Sequence, residues 1–193
     1  MSHLTYIQQS MLDALALQQQ IMESSDLIDA IDEVATLCIQ ALENGNKILL
    51  AGNGGSAGDA QHLATELLAR YESNRKALPA IALTTDTSVI TAVSNDFHFE
   101  QIFSRQLEAL GNIGDVFIGI STSGNSANIV NAVDCANSLG MRSVALCGQA
   151  GKINASAQHV LAVPSSCTAR IQEAHILMGH ILCGLIERHF VSR

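Results

Sequence analysis

Tryptophan is absent from the sequence, and aromatic residues of all kinds make up only 4% of its 193 positions. A core without large rings must be assembled from Ala, Leu, Ile and Val, as in a buried parallel sheet covered by helices. A basic excess is absent too. The formal net charge is −8, which argues against the electrostatic attraction that supplies most non-specific nucleic-acid affinity. An anionic ligand is still allowed, because backbone N–H groups hold a phosphate without any lysine. No C-x-x-C pair occurs among Cys38, Cys135, Cys147, Cys167 and Cys183. Their odd number and wide spacing fit free thiols in a reducing cytoplasm. No apolar run approaches the ~18 residues of a membrane span, and residues 1–20 lack the charged-then-apolar pattern of a secretion signal. Low-complexity segments and clear repeats are also missing. What is there is a chain 48% hydrophobic, of a length that suits one domain, 1–193, with a sizeable core.

Apolar residues recur at helical spacing over 4–22 (Leu4, Ile7, Met11, Leu15) and 26–43 (Leu27, Ile31, Val34, Leu42). These predict two helices, with Asn44-Gly45-Asn46 as the stop. From residue 46 the pattern changes. Short apolar runs at 47–51, 80–83, 116–120 and 143–147, and a weaker one at 159–163, read as buried strands. Helical stretches at 56–70, 87–93, 99–110 and 126–139 separate them, and a long helix covers 169–190. Such alternation predicts an α/β fold: a parallel five-stranded sheet with helices on both faces, a flavodoxin-like three-layer sandwich behind an N-terminal helical segment, 1–45. Ligands in such sheets bind outside the carboxyl ends of the strands.

Two loops fall at those ends. One is Gly52-Asn53-Gly54-Gly55-Ser56; the other is Ser121-Thr122-Ser123-Gly124-Asn125-Ser126. Glycines let backbone N–H groups approach an anion, a following helix adds its dipole, and hydroxyls donate further bonds. The competing reading is two ordinary turns with serine N-caps. Neither loop is a Walker loop, since no Gly-Lys-Ser/Thr follows, and neither has the spacing of the dinucleotide fingerprint.

His62 and Glu66 lie four residues apart on the helix opened by the first loop, hence on one face. They suit a shared metal ion, a base beside its partner, or a solvated surface pair. On the last helix Gln172 and His180 face a similar way but stand ~12 Å apart along the axis. Either their side chains converge within one copy or different subunits supply them. His175 points elsewhere and reads as a packed or surface residue, as do His3, His98, His159 and His189. The last helix is apolar over more than one stripe (Ile176, Leu177, Met178, Ile181, Leu182, Leu185), more than a surface helix needs. This points to a homo-oligomer, a tetramer on our reading, with a site completed at an interface; the alternative is a monomer whose last helix packs on its own sheet.

The Gly-Ile-Ser-Thr-Ser-Gly-Asn-Ser run at 119–126 resembles the phosphate loop of sugar isomerase (SIS) domains. Gly-Asn-Gly-Gly-Ser with Asp59-Ala60-Gln61-His62 and Glu66, then Asn95-Asp96, Phe103-Ser104-Arg105 and Arg170-Ile171-Gln172-Glu173 with His180, narrow the resemblance to the phosphoheptose isomerases along nearly the whole chain. That resemblance implies conversion of sedoheptulose 7-phosphate to D-glycero-D-manno-heptose 7-phosphate, for ADP-heptose and lipopolysaccharide synthesis. It implies substrate contacts at Asn53, Gly54, Gly55, Ser56, Glu66, Asn95, Asp96, Ser121, Thr122, Ser123, Ser126 and Gln172. It implies one zinc ion per subunit on His62, Glu66, Gln172 and His180, with Glu66 and His180 as the acid–base pair. Zinc would either polarise the carbonyl or position residues. Where some members carry an acidic residue before Arg170, this chain has Ala169.

The chain also resembles SIS proteins that bind the replication initiator DnaA, in 44–49, 57–62, 78–83 and 169–173. Those shared segments are mostly structural. A pure interaction module needs neither Glu66 nor His180, and both are present. Other SIS activities usually carry a fused partner domain, for which this sequence has no length to spare.

Overall fold

Strand-forming runs of Ile, Leu, Val and Ala make a single sheet with helices packed on both faces. In the computed structural model, which describes residues 2–191, five strands form: β1 Ile48–Gly52, β2 Ala80–Ala82, β3 Val116–Ser121, β4 Arg142–Gly148 and β5 His159–Val163. All neighbours pair parallel, in the order β2-β1-β3-β4-β5. Each expected run became a strand, the weak one at 159–163 included.

Side chains alternate across a strand, so each strand feeds two cores. In β3, Val116, Ile118 and Ile120 enter one and Phe117 the other; in β1, Ile48 and Leu50 oppose Leu49 and Ala51. Phe117 is fully buried, a contribution of about 1.5–3 kcal/mol for a side chain of this kind. Helices α1 (His3–Glu23), α2 (Ser25–Glu43), α3 (Gly55–Leu68) and α8 (Thr168–Val191) supply the first core. Helices α4 (Thr87–Asp96), α5 (Ser104–Leu110), α6 (Ala127–Ser138) and the single turn α7 (Ile153–Ser156) supply the second. The result is the three-layer α/β sandwich the alternation predicts. The five cysteines are free. Among the described residues no helix is long and apolar enough to cross a membrane.

Two expectations change. The helix expected over 99–110 is a 3-10 turn, Phe99–Gln101, followed by α5. The tighter turn lets the adjacent Ile102 and Phe103 both enter the second core, each 2% exposed. The broad apolar surface of α8 is largely used within the chain, since Ile171, Ala174, Met178, Leu182 and Ile186 are buried against the sheet and α2. Leu177 and Ile181 of α8 stay exposed, and a larger uncovered apolar surface lies on the first half of α1, where Leu4, Met11 and Leu15 are 65%, 69% and 65% exposed.

Strand order places the ligand crevice. From β1 the chain moves outward to β2 and then crosses back to β3 on the other side. The carboxyl ends of β1 and β3 therefore flank the topological switch point, where open α/β sheets bind ligands. The two loops singled out above follow those two strands.

Candidate active site

Both loops open onto helices whose first backbone N–H groups are left free of side chains. Ser2, Ser24 and Asp86 cap α1, α2 and α4 through their side chains. At α3 and α6 no side chain makes the cap bond. Ser126 occupies the N-cap position of α6, yet its hydroxyl lies 3.0 Å from that of Ser121. The reading as ordinary serine-capped turns therefore fails. Two helix N-termini with open donors face the switch point, an arrangement that suits an anion by dipole and by hydrogen bonding.

The second loop is braced from below. Gly124 takes φ +66° and lies so close to Gly151 that a Cβ there would overlap the Gly151 Cα at 2.9 Å. Ile153 donates its N–H to the Gly124 carbonyl, and Lys152 donates to the Asn125 side chain. Missing from the sequence reading, α7 thus acts as the floor of the hydroxyl loop. Ser123 and Asn125 remain exposed at its rim, and Ser123 accepts the Asn125 N–H at 3.2 Å.

The two loops are joined by a reciprocal amide pair. Asn53 donates to Asn128 at 2.9 Å and Asn128 donates back at 2.8 Å. Asn128, in the first turn of α6, is 2% exposed. Sequence reasoning proposed Asn53 as a substrate contact and overlooked Asn128. The paired amide engages one oxygen and one N–H of each side chain, so the Asn53 side chain ties the two loops and its backbone is left open to the crevice.

The third component is the α3–α8 seam. Asp59, His62 and Glu66 fall three and four residues apart and share one face of α3. Gln172 lies against the start of that face: a Cβ on Gly55 would sit 2.1 Å from its amide nitrogen, and the amide donates to Asp59 at 3.3 Å. Burial pushes the Asp59 carboxyl above its ordinary value, and the Gln172 bond offsets part of that rise. Further along, His62 Nε2 and His180 Nε2 are 2.8 Å apart, so one nitrogen donates and the other accepts. Glu66 Oε1 is 3.5 Å from the same His62 nitrogen. The Tyr71 ring stacks on His180 with centroids 5.7 Å apart and planes at 27°. One copy of the chain therefore brings His62, Glu66 and His180 together, while Gln172 stays near Gly55 and Asp59. Asn95 and Asp96 pair with each other at the exposed end of α4, at 2.8 Å.

Among the described residues no three His, Cys, Asp or Glu side chains already form a metal cage. The donor chemistry nonetheless suits zinc, with two imidazole nitrogens and a carboxylate converging. Two donors on a tetrahedral zinc lie about 3.3 Å apart. The Glu66 contact is near that figure, and the histidine pair, at 2.8 Å, would have to part slightly for such an ion.

Comparison with known proteins places the chain among relatives. The SIS-domain family model matches residues 11–148. A phosphoheptose isomerase of Sulfurimonas denitrificans is 50% identical over 184 residues, 95% of this chain and 94% of that relative. Solved structures of phosphoheptose isomerases from Neisseria gonorrhoeae and Francisella tularensis superpose with TM-scores of 0.91 and 0.93, at 42% and 40% identity. Each covers 97% of this chain and 100% of its own.

Proposed function

Because the chain belongs to the SIS-domain family and, within it, to the phosphoheptose isomerases, we propose that it interconverts sedoheptulose 7-phosphate and D-glycero-D-manno-heptose 7-phosphate at the β1–β3 switch point. The observation that carries this reading is the pair of uncapped helix N-termini, joined by Asn53 and Asn128, beside the His62–Glu66–His180 cluster. The phosphate sits on the Ser121, Thr122, Ser123 and Ser126 hydroxyls and the open N–H groups of α6. The N–H groups of Gly54, Gly55 and Ser56, with Gln172, hold sugar oxygens along the crevice.

The chemistry then needs a base over C1 and C2 and an acid at their oxygens. Glu66 removes a proton from C1 of the ketose while His180 protonates O2, giving an enediol. His180 takes back a proton from O1 as the C1 carbonyl forms, and Glu66, its acquired proton having exchanged with solvent, protonates C2. The helix N-termini stabilise negative charge as it develops. Zinc, if held by His62, Glu66 and His180 with Gln172 as a fourth ligand, would supply Lewis-acid polarisation of the carbonyl.

The exposed apolar half of α1 fits a homo-oligomer, a tetramer on this reading, and Asn95 and Asp96 fit contributions to a neighbour's crevice. Free thiols and a phosphorylated substrate fit a cytoplasmic enzyme. The test is turnover of sedoheptulose 7-phosphate by the purified protein, with and without added zinc. Formation of the aldose supports the reading. Its absence, together with tight binding of DnaA, would replace it with an interaction role.

A further inference from the structure

A buried ion pair lies beneath the segment that follows α3. Glu187, near the end of α8, is 2% exposed. Its carboxylate accepts the consecutive backbone N–H groups of Tyr71, Glu72 and Ser73 at 2.8, 2.6 and 2.6 Å, and Arg75 Nε lies 3.1 Å away. The Arg75 guanidinium then donates to the backbone carbonyls of Leu67 and Glu66, at 2.8 and 2.7 Å. Burial disfavours the Glu187 charge, but the three N–H bonds and Arg75 outweigh it and hold the carboxyl below its ordinary value. A buried pair is a weak source of net stability and a strong source of fixed geometry when every lone pair is used.

What it fixes is irregular backbone. Residues 70–79 have no helix or strand of their own. The residue held at the start of that segment is Tyr71, whose ring stacks on His180. Gly184, one turn beyond His180, provides the floor: a Cβ there would lie 3.3 Å from the Tyr71 ring. The same ion pair reaches Glu66 through its carbonyl.

We infer that Tyr71 is a positioning residue, clamped by Glu187 and Arg75 so that its ring sets the orientation of the His180 imidazole. Its part in catalysis rests on the isomerase reading, in which His180 is the acid; its part in orienting the imidazole does not. The ring does the work, so Tyr71→Phe keeps kcat within twofold of the unsubstituted enzyme. Tyr71→Leu lowers kcat about tenfold with KM within twofold, because the phosphate is held on other loops. Glu187→Gln has a similar effect, and the double variant Tyr71→Leu/Glu187→Gln is no slower than Tyr71→Leu alone, since both act through one ring.

The decisive readout is independent of turnover. In protein labelled with 13C at histidine Cε1, the His180 signal, assigned by its loss in His180→Gln, should move in Tyr71→Leu and Glu187→Gln and stay in Tyr71→Phe. An unmoved His180 signal in Tyr71→Leu overturns the proposal, as does multiplicative loss in the double variant. If Glu187→Gln fails to fold, the Leu and Phe variants at Tyr71 decide alone. An unsubstituted protein without turnover would remove the isomerase reading, while the histidine signal would still decide the clamp.

Discussion

His175 should make the protein acid-labile in a defined window. It lies on α8, fully buried, and neither ring nitrogen meets a hydrogen-bond partner. Burial lowers its pKa from the ordinary value of 6.5 to about 4; the Cys147 backbone, close to the ring but outside hydrogen-bond geometry, opposes this without cancelling it. The folded state therefore refuses a proton that the unfolded chain accepts below pH 6.5. Linkage then makes stability rise with pH across this range. The contribution is fully present above about pH 6.5, is lost as pH falls, and levels off below about 4. At pH 5 the unfolded chain gains about 2 kcal/mol relative to the folded one, and at the limit about 3 kcal/mol. Against a typical total of about 5–15 kcal/mol that is a large fraction.

Urea unfolding at fixed protein concentration, at pH 7.5 and pH 5, measures it. His175→Leu carries its own packing cost, but that cost does not titrate. The unsubstituted protein should lose about 2 kcal/mol more than His175→Leu between the two pH values. Equal losses would refute the argument and show that the imidazole finds a proton acceptor or solvent in the folded state.

Three other outcomes follow from the site. Glu66→Gln removes the proton acceptor, so kcat should fall by about 10²–10⁴ while KM changes little; steady-state kinetics check this, and near-full activity would remove Glu66 as the base. Asn128→Ala leaves the Asn53 amide without its partner and unties the two loops, a loss of about 1–3 kcal/mol. It should appear as a lower Tm and a KM raised tenfold or more. Light scattering at micromolar concentration should give a multiple of the 20.4 kDa chain mass, and Met11→Glu/Leu15→Glu, on the exposed face of α1, should reduce it; a fully active monomer would contradict the oligomer.

The sheet was legible because its strands are short, mainly apolar runs set between polar or turn-forming residues, a pattern that survives without tertiary information. The helix stop at Asn44-Gly45 was equally local, since Gly45 takes φ +80°. The 99–110 segment was misread because periodicity alone does not distinguish an α-helix from a 3-10 turn that inserts Ile102 and Phe103 together. In the site, the loops and the His62–Glu66 spacing were visible. Asp59 was within reach too, at i, i+3 and i+7 with those two residues. Asn128 and Glu187 were not, because their partners lie 75 and more than 110 residues away, and only the fold brings such residues together. The last helix was read correctly as amphipathic beyond one stripe, but the sequence could not tell its own sheet from a neighbour's helix.

Proton NMR of sedoheptulose 7-phosphate incubated with the protein in deuterated water tests the central claim most directly. Proton transfer through an enediol, with Glu66 as the base, predicts an aldose 7-phosphate carrying solvent deuterium at C2, formed about 10²–10⁴ times more slowly with Glu66→Gln. A ketose left unchanged by the unsubstituted protein, or an aldose with no solvent deuterium at C2 and none at C1 of the recovered ketose, would contradict the account.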